Sequence, residues 1–243
     1  MNILAVIPAR LQSTRLPRKV LRDIAGLPMV VHVFNRARRC SLLTDVLVAT
    51  DSAEVVDVCH AHRVPAVITS AGHASGTDRL WEVSRARSAD VYVNIQGDEP
   101  LVTCGHVETL VAPFLTQPEV QVTTLKIRAT PEEAVSPTVN KVVTNTHGDA
   151  LYFSKHAIPY DRDRRGDVVY WKHIGLYAYR RPVLEVFHRL PPSTLERAEG
   201  LEQLRLLEEG IAIRVLETAE PTIGVDTEED LRAVEAVLAH HGR

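Results

Sequence analysis

Cysteine is scarce in this 243-residue chain, and the three present, Cys40, Cys59 and Cys104, are odd in number and widely scattered. They form no zinc-ligand spacing and no disulfide framework, so they are expected as buried or incidental thiols. No stretch approaches the roughly 18 consecutive apolar residues of a membrane span. The opening Met1-Asn2-Ile3-Leu4-Ala5-Val6-Ile7 lacks the basic region and long apolar run of a secretion signal. Strong positive charge is missing too: the formal net charge is −3. Neither a nucleic-acid coat nor an anionic-membrane binder would gain from bulk attraction at that balance, so any phosphate-binding charge must be local. There is no Gly-Lys-Ser/Thr P-loop, no Gly-x-Gly-x-x-Gly fingerprint, and no Ser/His/Asp or Cys/His signature of a covalent intermediate. Together these absences predict a cytoplasmic protein whose partners are neither nucleic acid nor membrane. Lysine is rare beside arginine, occurring only at positions 19, 126, 141, 155 and 172.

What is present is an ordinary globular mix, 45% apolar and 24% charged, in a chain long enough for a substantial core. Short apolar runs at 3–7, 46–50, 66–69 and 91–95 alternate with helical patterns at 28–39, 53–62 and 77–87. Continuous Val/Ile/Leu runs separated by helices predict an α/β fold with a mostly parallel sheet flanked by helices. The second half is mixed. Strands are expected at 120–127, 141–145, 151–154, 173–179 and 211–216, and an amphipathic helix at 195–209 ended by Gly210. A last helix opens at Asp226-Thr227-Glu228-Glu229-Asp230 with Thr227 as its N-cap. The charged stretch 161–167 reads as an exposed loop. No repeat or linker divides the chain, which predicts a single domain over residues 1–243, with a small β-rich extension at about 120–190.

Open parallel sheets bind ligands beyond the carboxyl ends of their strands. The polar segments in those places are Pro8-Ala9-Arg10, Asp51-Ser52 and Gln96-Gly97-Asp98-Glu99-Pro100. After the first strand, Arg10, Arg15 and Lys19 stand in a loop of small and polar residues. Such a trio is often just a solvated basic loop, but its place after the first strand suits a polyphosphate that needs several cations and free N–H groups.

These segments carry a resemblance. Ile7-Pro8-Ala9-Arg10, Ser13-Thr14-Arg15-Leu16-Pro17, Lys19 and Gly26-Leu27-Pro28-Met29-Val30 look like the opening of the Kdo cytidylyltransferases, or CMP-Kdo synthetases. It continues through Val48-Ala49-Thr50-Asp51, Ser75-Gly76-Thr77-Asp78-Arg79, Asn94-Ile95-Gln96-Gly97-Asp98-Glu99-Pro100, Leu151-Tyr152-Phe153-Ser154, His173-Ile174-Gly175-Leu176-Tyr177, Leu201-Glu202-Gln203-Leu204-Arg205 and Gly224-Val225-Asp226-Thr227. The resemblance implies a Rossmann-like nucleotidyltransferase sheet and transfer of CMP from CTP to a small acidic acceptor, by default Kdo, with release of pyrophosphate. It further implies Mg2+ as cofactor and a homodimer.

Carried across residue by residue, Arg10, Arg15 and Lys19 would hold the CTP phosphates and stabilise charge on the attacked α-phosphate, with Asp98 as a further catalytic group. Pro8, Ala9, Ser75, Gly76, Thr77 and Arg79 would help bind the nucleotide, the Ser75 segment also reading as an ordinary helix N-terminus, which itself suits anions. Asp98 and Asp226 would hold Mg2+, a cation that favours one or two carboxylates plus phosphate oxygens. Gln96, Lys155, His173, Tyr177, Glu202 and Gln203 would line the acceptor pocket. On their own, His173 reads as a packed polar core residue and Glu202/Gln203 as an exposed helix face.

Two residues depart from the family pattern. Arg18 stands where glycine is usual, and Lys155 where an arginine usually binds the acceptor's carboxylate, an exchange of a planar fork for a point charge. The second departure leaves the acceptor open between Kdo and a smaller, more charged acid such as phosphonoformate. Two further readings are a nucleotidyltransferase acting on a sugar 1-phosphate and a catalytically silent nucleotide-binding protein. Cys59-His60-Ala61-His62 and His240-His241 suggest metal binding superficially, but residues two apart on a helix do not face each other, and the second pair ends the chain. Trp81 and Trp171 read as packing residues.

Overall fold

The structure is a computed structural model that describes residues 1–13, 15–163 and 165–241, backbone only for the last two. Thr14 of the phosphate-loop motif lies outside the described residues, as do the side chains of His240 and His241. The chain divides into two compact units, Met1–Glu108 with Thr222–Arg243, and Thr109–Pro221.

In the first unit the apolar run after Asn2 becomes β1 (Ile3–Pro8), buried along its whole length. A short hairpin of β2 (Asp23–Ile24) and β3 (Leu27–Pro28) leads into α1 (Met29–Ala37), whose Met29, Val30, Val33 and Phe34 are buried. Next come β4 (Asp45–Thr50), α2 (Ala53–Ala61), β5 (Ala66–Ile68), α3 (Gly76–Ala86) and β6 (Val91–Asn94). The strands pair in parallel, β1 with β4, β4 with β5 and β1 with β6. Their order is therefore β5-β4-β1-β6, the sequence of a doubly wound nucleotide-binding sheet. The chain first steps outward from β1 to β5 and then returns across it to β6. Right-handed crossovers therefore put α3 on the face opposite α1 and α2, and the α/β expectation is borne out. The reversal makes the crevice between the carboxyl ends of β1 and β6 the topological switch point. A C-terminal helix, Glu228–His241, completes this unit and packs Leu231 and Val234 against Leu16, Ile24 and Met29. Thr227 caps it as expected, accepting the Asp230 N–H at 3.2 Å.

The chain leaves the first unit within α4 (Cys104–Thr116). The second unit contains β7 (Val122–Arg128), α5 (Pro131–Val135), β8 (Lys141–Thr144), β9 (Ala150–Ser154), β10 (Trp171–Arg180), α6 (Arg181–Arg189), α7 (Thr194–Glu199), α8 (Leu204–Glu208) and β11 (Arg214–Glu217). β7 lies between antiparallel β10 and parallel β11, and β8 pairs antiparallel with β9 and β10. The helix expected over 195–209 is two helices, because Gly200 takes the left-handed conformation (φ 65°) and donates its N–H to the Glu196 carbonyl at 2.7 Å. That is a helix-ending cap rather than a continuation. Residues 161–167 carry no regular element, as expected of a loop, apart from Arg164, which is not described. No helix among the described residues is long and apolar enough to cross a membrane.

Candidate active site

The loops that follow β1, β4 and β6 meet at the switch point. Ile95 and Gly97 donate their N–H groups to the Val6 and Pro8 carbonyls, at 3.1 and 3.2 Å. A Cβ on Gly97 would stand 2.9 Å from the Pro8 oxygen, so only glycine lets the two strand exits approach this closely. Val225 N–H bonds the Asp98 carbonyl at 2.9 Å, which fixes Asp226 beside Asp98 despite their separation in sequence.

Lys19 is the centre of what results. It begins the 3₁₀ turn Lys19–Leu21, and its Nζ lies 2.6 Å from Asp98 Oδ2 and 2.9 Å from Asp226 Oδ1. Arg15 reaches the other Asp226 oxygen at 2.9 Å. Burial alone would lower the Lys19 pKa, but the Asp98 and Asp226 carboxylates outweigh it and hold the ammonium above its ordinary value, so it stays charged at neutral pH. Of the residues expected in the phosphate and metal sites, the fold thus brings Arg15, Lys19, Asp98 and Asp226 into one cluster.

Arg10 lies in an adjoining open cleft of about 620 Å³ together with Gln12, Ser13, Arg18 and Asp51. That volume is in the range of small-ligand sites. Arg18 adopts the left-handed conformation (φ 56°), which accounts for glycine being usual there, and pairs with Glu54. Arg79 is fully buried on α3, bonded to Thr69 and, at 3.2 Å, to Asp51. Burial, offset by Asp51 and reinforced by Arg10, lowers its pKa. Ser75 caps α3 by accepting the Asp78 N–H at 3.2 Å, Thr77 is buried within the first turn, and Gly76 packs on Pro8. Ala9 is buried and donates to Ala49 O at 2.9 Å.

Reading the sequence alone missed Asp51 as the partner that orients Arg79. It also missed Glu82, which holds the next loop by accepting from Ser70 N–H at 2.9 Å and pairing with His73. Asp51 had a signal in its place at a strand's carboxyl end; Glu82, on the body of a helix, had none.

The residues expected at the acceptor divide between the units. Gln96 belongs to the first and bonds Asn94 at 3.0 Å. The others lie in the second. His173 and Tyr177 flank an irregularity in β10, with ring centroids 5.4 Å apart. His173 Nε2 is 3.0 Å from Thr124 Oγ1, and burial lowers its pKa to about 3, so it is neutral. Burial raises the Tyr177 pKa well above the ordinary value, with Tyr179 and Glu202 adding to it, so the phenol keeps its proton. Gln203 is buried, contrary to the exposed helix face that its pattern suggests, because the break at Gly200 turns it inward. Lys155 follows β9, its N–H bonded to Glu199 at 3.0 Å.

Two hard carboxylates converging on one ammonium fit a divalent cation that borrows the rest of its oxygens from a substrate. Among the described residues no group of three or more His, Cys, Asp or Glu could hold a metal unaided.

Comparison with known proteins agrees with this geometry. The cytidylyltransferase family profile matches residues 4–214. The 3-deoxy-manno-octulosonate cytidylyltransferase of Acidobacterium capsulatum is 56% identical over 98% of this chain and 97% of its own length. That of Koribacter versatilis is 54% identical over 97% of this chain and 89% of its own. A CMP:2-keto-3-deoxy-manno-octonic acid synthetase solved with CTP superposes with a TM-score of 0.95 at 46% identity, covering 99% of this chain and all of that one. A switch-point site of cations and paired carboxylates, with full-length similarity of this degree, means that the chain belongs to the cytidylyltransferase family, among its 3-deoxy-manno-octulosonate enzymes.

Proposed function

We propose that this protein transfers CMP from CTP to 3-deoxy-manno-octulosonate, releasing pyrophosphate. The observation that carries the reading is the Lys19 ammonium held between Asp98 and Asp226, in a site also reached by Arg15. Such a site offers fixed positive charge where a triphosphate must be neutralised, and carboxylates where its counter-cation binds. The names of the full-length relatives and the CTP in the 46%-identical structure support the donor and acceptor.

In this reading Arg10, Arg15 and Lys19 bind the triphosphate and offset charge that builds on the α-phosphate oxygens during attack, the dominant contribution in reactions of this kind. The N-terminal turn of α3, with Ser75, Gly76, Thr77 and the buried Arg79, shapes the nucleotide side against Pro8 and Ala9. The acceptor's hydroxyl oxygen forms the new bond to the α-phosphorus as the bond to the β-phosphate bridge breaks. Its proton passes to solvent and pyrophosphate leaves. Asp98 and Asp226 would hold a divalent cation, magnesium in this proposal, which when bound supplies charge neutralisation and an acidified acceptor hydroxyl. Lys155, His173, Tyr177, Glu202, Gln203 and Gln96 take the acceptor, the neutral His173 and Tyr177 suiting hydroxyls and Lys155 a carboxylate. Action as a homodimer in the cytoplasm, with residues 1–243 serving one nucleotidyltransferase reaction, belongs to the same proposal.

Against phosphonoformate, a sugar 1-phosphate or a silent binding role stands the sugar-acid name that the full-length relatives carry. The test incubates the protein with CTP, Mg2+ and each acid in turn, and reads pyrophosphate and product mass. Turnover with 3-deoxy-manno-octulosonate far above that with phosphonoformate or sugar 1-phosphates is expected. Preference for another acceptor, or binding of CTP without product, would overturn the reading.

A further inference from the structure

Lys141 is a charged side chain with no exposure to solvent. It opens β8 opposite Ser154 of β9, and its ammonium extends to three backbone carbonyls: Ser136 at 2.7 Å, Val139 at 2.6 Å and Lys155 at 2.5 Å. Those three bonds use all the donors an ammonium has. Burying an ammonium is costly, and a methionine would fill the same volume without desolvation. What the charge adds is a fixed point joining the 136–139 turn to the carbonyl of residue 155.

The N–H of the same residue, in the peptide unit before it, is held as firmly. Glu199, the last residue of α7, accepts from Ser154 Oγ at 2.7 Å and from Lys155 N–H at 3.0 Å. Directly after it Gly200 turns left-handed, its Cβ position 3.3 Å from Lys155 Nζ, and the chain runs on into Glu202 and Gln203. Glu199 therefore ties the end of β9 to the segment that carries two of the proposed acceptor residues. Its charge also opposes the lowering that burial imposes on the Lys141 pKa.

We infer that Lys141 and Glu199 are positioning residues that grip the N–H and C=O of Lys155 and set its ammonium in register with Glu202 and Gln203, thereby fixing where the acceptor's carboxylate is bound. Lys reaches a carboxylate as a flexible point charge rather than a pre-shaped fork, so its backbone origin must be held more strictly. The inference rests on the reading of Lys155 as an acceptor residue.

The experiment compares steady-state kinetics of Lys155→Ala, Lys141→Met and Glu199→Gln, with Lys172→Met as control, in the full-length protein with CTP, Mg2+ and 3-deoxy-manno-octulosonate. Lys172 is a neighbouring strand lysine whose partner is Glu133. Thermal melts identify which variants are folded. In Lys141→Met and Glu199→Gln the KM for the acid is expected to rise about tenfold to a hundredfold, with the KM for CTP unchanged and Lys172→Met like wild type. If Lys141→Met does not fold, Glu199→Gln, which keeps the size of the side chain, decides alone. An unchanged KM for the acid in these variants, while Lys155→Ala raises it, overturns the clamp and leaves the Lys155 reading intact. Equal losses toward both substrates also overturn it, since they mark general support only. No effect of Lys155→Ala itself would overturn the Lys155 reading, and the clamp's purpose with it.

Discussion

Arg18 and His173 show how single residues carry conformational and protonic strain in this fold. A left-handed residue with a Cβ costs roughly 1–2 kcal/mol, while glycine there costs backbone entropy of up to about 1 kcal/mol. The exposed Glu54 pair contributes little at the surface. Arg18→Gly is thus expected to leave the thermal midpoint equal or slightly higher, and a fall of several degrees would contradict this account. His173 bears on stability through its proton. The unfolded chain takes up its proton below about pH 6.5, while the buried ring does so only at about pH 3. The stability it supports is complete above pH 6.5 and declines as the pH falls toward 3, by up to about 1.4 kcal/mol per unit. Urea unfolding at pH 7.5 and 5.0 should show wild type losing about 2 kcal/mol more than His173→Gln over that interval.

At the scale of elements, the break between α7 and α8 matters most. Period and propensity favour one helix from 195 to 209 ended by Gly210, which does take a positive φ after α8. The earlier stop at Gly200 depends on a cap whose carbonyl partner, Glu196, is ordinary helix sequence. Gly200→Ala keeps the helical pattern but places a Cβ in left-handed backbone beside Lys155. It is expected to cost about 1–2 kcal/mol in denaturant unfolding and to raise the KM for the acceptor while sparing that for CTP. Wild-type stability would show that Gly200 is not strained when substituted. The parallel core of the first unit was legible because each strand is a continuous run of β-branched and aliphatic residues. The strand expected at 173–179 lies within β10, but its irregularity between Ile174 and Tyr177 was not legible, since it shows only in the pairing with β7.

At the scale of the whole molecule, the residues assigned to the nucleotide all fall in the first unit, and those assigned to the acceptor, Gln96 apart, in the second. A nucleotide bound there should stabilise the chain against unfolding. CTP with Mg2+ at a hundred times its dissociation constant is expected to add about 2.7 kcal/mol to unfolding. Chelation with EDTA should abolish pyrophosphate release and remove most of that increment. Asp98→Ala or Asp226→Ala should lower kcat/KM by about a hundredfold or more; full turnover in both would show that these carboxylates do not serve the reaction.

The sequence by itself determined the α/β class, the cationic loop after the first strand and the motif order from which the family can be read, because these depend on residue type and local spacing. Residue type and spacing alone could not bring Asp226 to Asp98, which only the resemblance pairs, or Lys19 to both: Lys19 and Asp226 are separated by 207 positions, and a lone aspartate at a strand exit or helix start has the same local pattern whether or not it has such a partner. The contact exists because the sheet order reverses at β1 and the Val225 N–H bonds the Asp98 carbonyl. Only tertiary structure, likewise, decided that Lys141 is buried. Nothing local distinguishes a lysine that opens a strand in water from one whose ammonium meets three carbonyls inside the protein.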